Sequence, residues 1–149
     1  MRRFKKKYKR PKKPFDKERI EREKELIKKY GLKNKREIWK AETILRNFRR
    51  IARRLAAEKN EKLEKQLLNK LKRLGIMESG NIDDVLNLTV EDILKRRLQT
   101  IVYLKGLAKT PKHARQLITH GHILISGRRV RFPSYMVPKE EEDKISLGV

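Results

Sequence analysis

The sequence predicts an α+β protein that is mostly α-helical, with a helical domain over 16–88 and a smaller domain over 89–137 in which helices pack on a short β-hairpin. Through the first half of the chain, apolar residues recur every three or four positions, which is the period of an amphipathic helix. In the second half, two apolar stretches flank Ser126-Gly127, a pair that suits a two-residue hairpin loop. With 149 residues, 37% of them hydrophobic, the chain suits one domain or two small domains that share a core.

The first 15 residues carry nine lysines and arginines and no acid. Two prolines and the mutual repulsion of these charges disfavour a helix, so we expect a disordered basic arm over 1–15 that orders on a polyanion. Phe4, Tyr8 and Phe15 are spaced through the basic residues, and such rings can stack on unpaired bases. The alternative is a solvated tail without a role in binding.

Three amphipathic helices are expected in the helical domain. The first spans 16–30 and ends at Gly31, and the third spans about 60–74 and ends at Gly75, because glycine tolerates the left-handed backbone that follows a helix. The second starts after Asn34, with Glu37 in a predicted capping box, and runs to about residue 57.

One side of the second helix is apolar and the opposite side is strongly basic. Trp39 falls in the basic sector, where it either packs against a neighbouring helix or contacts nucleic acid; the large area of indole favours packing. The basic sector comprises Lys35, Arg46, Arg49, Arg50 and Arg53.

A long acid-free stretch follows a helix start that Thr89 caps. Residues 93–139 contain eleven lysines and arginines and no carboxylate, and residues 138–149 then form a short acidic tail. Random placement of 19 acids would rarely leave such a gap. A surface kept positive in this way suits phosphate binding, because each neutralised phosphate releases a counterion.

Within this stretch, the pattern predicts a helix followed by a hairpin. The helix starts at Thr110 with Pro111 in its first turn, and a hairpin follows in which Ile125 lies opposite Arg128. The apolar sides of helix and hairpin meet in a small core. The residues expected to remain outside are Lys112, Arg115, Gln116, Arg129 and a flank of His120.

Composition narrows the function classes. A net charge of +23 favours nucleic acid as partner, and a compact basic helix beside a hairpin suits a folded RNA better than a duplex major groove. No cofactor or metal is expected, since the chain has no cysteine and His113 and His120 lie about 10 Å apart along one helix.

Neither an enzyme nor a membrane protein is expected. The sequence shows no glycine-rich phosphate loop and no nucleophile with a base at sensible spacing. It also has no apolar run near 18 residues and no apolar stretch for a signal peptide, and the apolar side of the basic helix has other amphipathic helices as partners. A cytosolic location fits the absence of cysteine.

Two segments resemble a known family. "RRLQTIVYLKGLA" followed by "ARQLITHGHILISGRRVRFPSYMV" resembles the S-four RNA-binding domain, which is named for small-subunit ribosomal protein four. Upstream, "YGLKNKREIWKAETILRNFRR" resembles the helical first domain of the archaeal and eukaryotic-type ribosomal members of this family. The resemblance implies a structural ribosomal protein. The alternative is a ribosome-associated or ribosomal-RNA-processing assembly factor that carries an S-four-like domain.

The resemblance also implies a role, partners and site residues. It implies direct binding to the 5′ domain of small-subunit ribosomal RNA early in assembly, proteins five and twelve as neighbours, an influence on translational accuracy, and messenger RNA nearby at the entry channel. Gly121 and Gly127 match the turn glycines of the family. The residues that match its RNA-facing positions are Arg96, Arg97, Lys112, Arg115, Gln116, His120, Arg128 and Arg129.

Overall fold

The computed structural model describes residues 6–58, 60–78 and 80–148 and confirms the α+β, mostly α fold class. Eight helices and three short strands lie in these ranges. The helices are α1 (Lys17–Tyr30), α2 (Lys35–Glu58), α3 (Glu61–Arg73), α4 (Ile82–Asn87), α5 (Val90–Lys95), α6 (Leu98–Leu104), α7 (Pro111–Thr119) and α8 (Lys139–Glu142). The strands are β1 (Ile123–Ile125), β2 (Arg128–Arg129) and β3 (Ile145–Leu147).

Local capping chemistry sets several of the helix limits. The Thr89 backbone N–H donates to the Asp92 carboxylate at 2.9 Å, within a capping box that starts α5. At the start of α7, the Thr110 hydroxyl accepts a hydrogen bond from the His113 backbone N–H at 3.1 Å. These contacts satisfy N–H groups that have no partner inside the helix. The helices therefore begin close to where the sequence predicted.

The helices α1 to α5 enclose one hydrophobic core, which we call the core of the helical unit (17–95). Its most buried side chains include Ile38 and Ala52 of α2 and Leu71 of α3. Ile93 and Leu94 of α5 also belong to this core, whereas the sequence placed α5 in the second domain. A six-residue helix with apolar residues on one side fits either core, so its sequence could not decide the boundary.

A second core lies in the small unit (96–148), where α6 and α7 pack on the three-stranded sheet. The hairpin register is the predicted one: Ile125 pairs with Arg128 and Leu124 with Arg129. Ser126 and Gly127 both have positive φ, of 49° and 79°, as the turn between these strands requires. Ile118 of α7 and Ile123 of β1 are fully buried between helix and sheet.

The structure differs from the acidic tail predicted over 138–149. In the antiparallel sheet the strand order is β2–β1–β3, so β3 lies along the side of β1 that the hairpin leaves open. The Gly148 N–H donates to the His122 carbonyl at 2.7 Å, and Ile145 is buried. These residues therefore complete the sheet, because the strand β1 needs backbone partners on both sides.

Candidate nucleic-acid interface

Exposed basic residues lie on α7 and on the hairpin. Lys112 and Gln116 are one helical turn apart, and His120 follows a turn later, so all three lie along one side of α7. Arg128 and Arg129 are exposed on β2. Among the described residues, no carboxylate lies within 4 Å of any of these cationic groups. Arg128 lies on the side of the sheet that carries Ile125, and Arg129 on the side that carries Leu124. We use the name α7–hairpin face for the whole exposed set, Lys112, Gln116, His120, Arg128 and Arg129.

The basic sector of α2 is divided between the surface and the interior. Arg46, Arg50 and Arg53 are exposed and recur every three or four positions, so they form a second basic row. Arg49 turns inward and donates to the Leu88 carbonyl at 2.5 Å. Lys35 lies 3.3 Å from the Glu23 carboxylate of α1. Three of the five predicted residues therefore remain exposed and without a carboxylate partner in the part of the chain that the structure describes.

Arg97 and Arg115, which the resemblance matched to RNA-facing positions, are turned toward the helical unit. Both guanidinium groups contact the carboxylate of Glu37 in α2, at 2.5 Å for Arg97 and 3.1 Å for Arg115. Arg97 is only 7% exposed, and Arg115 is half-buried. A buried guanidinium needs a partner charge, and Glu37 supplies it for both. We therefore withdraw Arg97 and Arg115 from the proposed outward face.

Arg96 also turns into the protein. Its guanidinium donates to the Val137 carbonyl and to the Glu142 carboxylate, both at 2.8 Å. Its side chain thus fastens α8 to the end of α5, and it is not a free cation at the surface. We withdraw Arg96 from the proposed face for the same reason as Arg97.

Glu37 is the residue that sequence reasoning missed. It was predicted as part of a capping box with Asn34, but its carboxylate accepts from the Lys33 backbone N–H, at 3.1 Å, and binds two arginines. Burial disfavours the charged carboxylate, but the hydrogen bonds and charges of Arg97 and Arg115 outweigh it and hold the pKa of Glu37 below its usual value. Its arginine partners are 60 and 78 residues away, so no local signal identifies them.

Gln99 joins the two units at the same place. Its buried amide nitrogen lies 2.9–3.2 Å from three carbonyl oxygens, those of Tyr30, Gly31 and Pro111. Its amide oxygen lies 3.3 Å from Arg115 Nη1. These contacts satisfy backbone groups where α1, α6 and α7 meet, so the helical unit and the small unit are fastened by buried polar contacts.

Trp39 packs within the protein, as its size suggested. Its ring nitrogen donates to Glu23 of α1 at 2.9 Å, and its ring centre is 6.0 Å from that of Tyr8. Arg19 of α1 also donates to the carbonyls of Lys13 and Pro14, at 2.9 and 3.0 Å. Residues 6–15 form no helix or strand, but they contact the helical unit. This part of the segment therefore differs from the free arm that was expected. Phe4 lies outside the described residues.

Neither a membrane helix nor a clustered metal site occurs over residues 6–58, 60–78 and 80–148. No helix in these ranges is long and apolar enough to cross a bilayer. No group of three or more described His, Asp or Glu side chains could hold a metal ion. The His113 ring instead accepts a contact from the Lys109 backbone N–H, at 3.4 Å.

Comparison with known proteins identifies the family. Residues 96–143 match the S4 domain. The chain is 57% identical over 147 residues to the small ribosomal subunit protein uS4 of Hyperthermus butylicus, covering 96% of this chain and 84% of that protein. It is 53% identical over 150 residues to uS4 of Methanothermobacter thermautotrophicus, covering 98% and 88%. For uS4 of Methanococcus aeolicus the values are 54% over 150 residues, 97% and 85%. The chain belongs to the uS4 family.

Membership of the uS4 family confirms the resemblance that was seen in the sequence. The matched S4 domain can also be compared with the predicted domain limits. The S4 domain begins at Arg96, after the last apolar residues of the first core, and extends through α8. The sequence had placed this domain at 89–137. The uS4 relatives are named as ribosomal proteins, so the family is one of structural ribosomal proteins and not of enzymes.

In this uS4 chain, deletion of residues 1–15 is expected to lower the melting temperature by about 3 °C, because it removes roughly 1 kcal/mol of stabilising interactions. The deletion removes the contact between the tilted rings of Tyr8 and Trp39 and both backbone acceptors of Arg19. Scanning calorimetry of the free protein measures the change. Tyr8→Ala in the full chain separates the effect of the ring from that of the nine basic charges. An unchanged melting temperature after deletion would show that this segment is a solvated tail.

Proposed function

We propose that the protein is a structural component of the cytoplasmic small ribosomal subunit and binds its ribosomal RNA directly, within the 5′ domain. The observation that carries this proposal is the α7–hairpin face. It is exposed, free of carboxylate partners among the described residues, and lies within the matched S4 domain. Phosphate contacts from such a face supply affinity, and its shape selects a folded RNA over a regular duplex.

The exposed row of α2, formed by Arg46, Arg50 and Arg53, is proposed as a second contact with the RNA backbone. The ion pairs of Glu37 fasten α2 to the small unit, and the hydrogen bonds of Gln99 fasten the end of α1 to it. An RNA that binds both basic rows therefore meets two elements held in one arrangement. Such preorganisation lowers the entropic cost of binding.

The finer role is proposed from the family resemblance. We propose that the protein binds a junction of RNA helices early in small-subunit assembly and influences translational accuracy. Its neighbours there are ribosomal proteins five and twelve, and messenger RNA passes nearby at the entry channel. The similarity to uS4 proteins over 96–98% of the chain supports a ribosomal protein rather than a processing factor that shares only the S4 domain. Stoichiometric cosedimentation with mature small subunits distinguishes the two.

The affinity of the protein for RNA is expected to fall steeply as the salt concentration rises, and to be higher for ribosomal RNA than for duplex DNA. Filter binding to a transcript of the 5′ domain measures affinity between low and physiological salt, with duplex DNA of matched length as competitor. Replacing Lys112 and Arg129 by alanine should weaken binding and reduce the salt slope by about 1 for each phosphate contact removed. The matched control replaces Lys65 and Arg73 of α3, which removes the same charge. Equal affinity for the RNA and the DNA would contradict the proposal.

A further inference from the structure

A cleft of about 580 Å³ lies where α2 of the helical unit faces the loop over 132–137 of the small unit. None of the residues on its open rim was singled out by the sequence. Three of them are cations, Lys7, Arg36 and Lys40, and all three are exposed. The cleft has the size of a small-ligand site, about 300–1,000 Å³, and is far too small for a nucleic-acid duplex.

The cleft is lined by more positive than negative side chains. Glu37 is the one carboxylate among the described residues that line it, and it is already bound to Arg97 and Arg115. Within the described ranges, no carboxylate lies within 4 Å of Lys7, Arg36 or Lys40. The rim therefore keeps its positive charge and attracts an anion.

The inner side of the cleft is apolar and its far wall is fixed. Ile44, Pro133 and Met136, which line the cleft and are half-buried, contribute this apolar surface. The loop that forms the far wall is held by backbone hydrogen bonds from Leu98 to the Tyr135 carbonyl, at 2.7 Å, and from Gln99 to the Pro133 carbonyl, at 3.3 Å. The space is therefore preformed and does not depend on a ligand for its shape.

We propose that this cleft holds one unpaired nucleotide of the bound RNA. Its base lies against the aliphatic inner side, and its phosphates lie at Lys7, Arg36 and Lys40. A nucleotide has both required parts, a flat ring with an apolar face and an adjacent anionic backbone, and splayed single-stranded bases are the part of RNA that proteins read most specifically. This proposal rests on the proposed binding to ribosomal RNA and names a part of it.

Two substitutions test the cleft by bulk and by charge, using the full chain and the 5′-domain transcript. Ser134→Trp places an indole at the exposed loop residue that lines the cleft, and Ser146→Trp on the exposed side of β3 is its control. Lys40→Glu reverses a rim charge, and Lys65→Glu on α3 is its control. We expect Ser134→Trp and Lys40→Glu to weaken binding and raise the RNA dissociation constant by roughly tenfold. The two controls should change it by less than about twofold. Melting curves of all four variants should match that of the parent chain, since each side chain is exposed.

A crosslink locates the nucleotide. The chain contains no cysteine, so Ser134→Cys can be labelled at one position with a benzophenone, and Ser146→Cys gives the matched control. Primer extension should place the crosslink from position 134 at an unpaired nucleotide of the transcript, with no such crosslink from position 146.

The proposal is overturned if wild-type protein binds the transcript while Ser134→Trp and Lys40→Glu bind as tightly as their controls. That result would indicate a cleft for a different class of partner, such as an acidic protein segment. Crosslinks from position 134 to paired nucleotides only would also overturn it. Failure of the wild-type chain to bind the transcript would instead overturn the proposed function.

Discussion

Glu37→Gln is expected to lower the free energy of unfolding by about 3 kcal/mol, the lower end of the range for breaking a buried ion pair. The substitution keeps the shape of the side chain but leaves Arg97 and Arg115 without a counter-charge. The Arg97 side chain is only 8% exposed, so water cannot replace the missing partner. Urea unfolding followed by circular dichroism measures the change. Glu58→Gln is the matched control, because Glu58 is exposed at the end of the same helix.

The same variant should differ most from the wild type at neutral pH. The pKa of Glu37 is lower in the folded protein than its ordinary value of 4.5, because its two arginines outweigh burial. A lowered folded pKa contributes stability above the unfolded pKa, and this stability is lost as the pH falls through the folded pKa. The stability difference between wild type and Glu37→Gln should therefore stay constant from pH 7 to about 5 and shrink below it. A difference independent of pH would contradict this role of the carboxylate.

Gly31→Ala is expected to lower the free energy of unfolding by about 2–5 kcal/mol, which is a large effect for one added methyl group. Gly31 has a φ of +61°, which L-residues adopt at a cost of about 1–2 kcal/mol. An added Cβ would also lie 2.8 Å from the Pro111 Cβ and 3.0 Å from the Lys112 backbone nitrogen. The extra methyl would force α1 and α7 apart, at a further cost of about 1–3 kcal/mol for overpacking.

Gly106→Ala is the control for the Gly31 substitution. Gly106 also has a positive φ, of 72°, but a Cβ there meets no described atom within 4 Å. Its alanine variant should therefore show the backbone cost alone. Thermal and urea unfolding of both variants give the difference, which reports the close approach of α1 to α7. Equal stabilities of the two variants would contradict the clash.

The sequence predicted features that neighbouring residues determine. Thr110 and Pro111 mark the start of α7 because the cap and the missing N–H act within one turn. The hairpin register follows from the two-residue Ser126-Gly127 turn, which fixes the pairing of the strands on either side. Such signals lie within a few residues of the structure that they specify.

The remaining features depend on contacts between distant residues. Three residues, Ile145–Leu147, are too few to show a strand period, and their pairing with β1 is set by the position of the hairpin. The inward turn of Arg96 and Arg97 depends on carboxylates 46 and 60 residues away. The sequence of an arginine does not show whether its side chain meets a phosphate or a carboxylate, so the family resemblance alone placed both residues at the RNA. RNA binding by the exposed residues of the α7–hairpin face stays a prediction.

The position of β3 in the sheet has a consequence for how the small unit is sealed. The strand β1 lies in the middle of the sheet, yet its second partner comes from about twenty residues further along the chain. Until residues 145–147 pair with it, β1 keeps an open edge, the part of a sheet that most readily pairs with a foreign chain. The buried residues of the first core all lie at or before Leu94, so that core does not depend on this pairing. A chain in which β3 is undocked thus has one complete core and one unsealed sheet, and the docking of Ile145 closes the sheet.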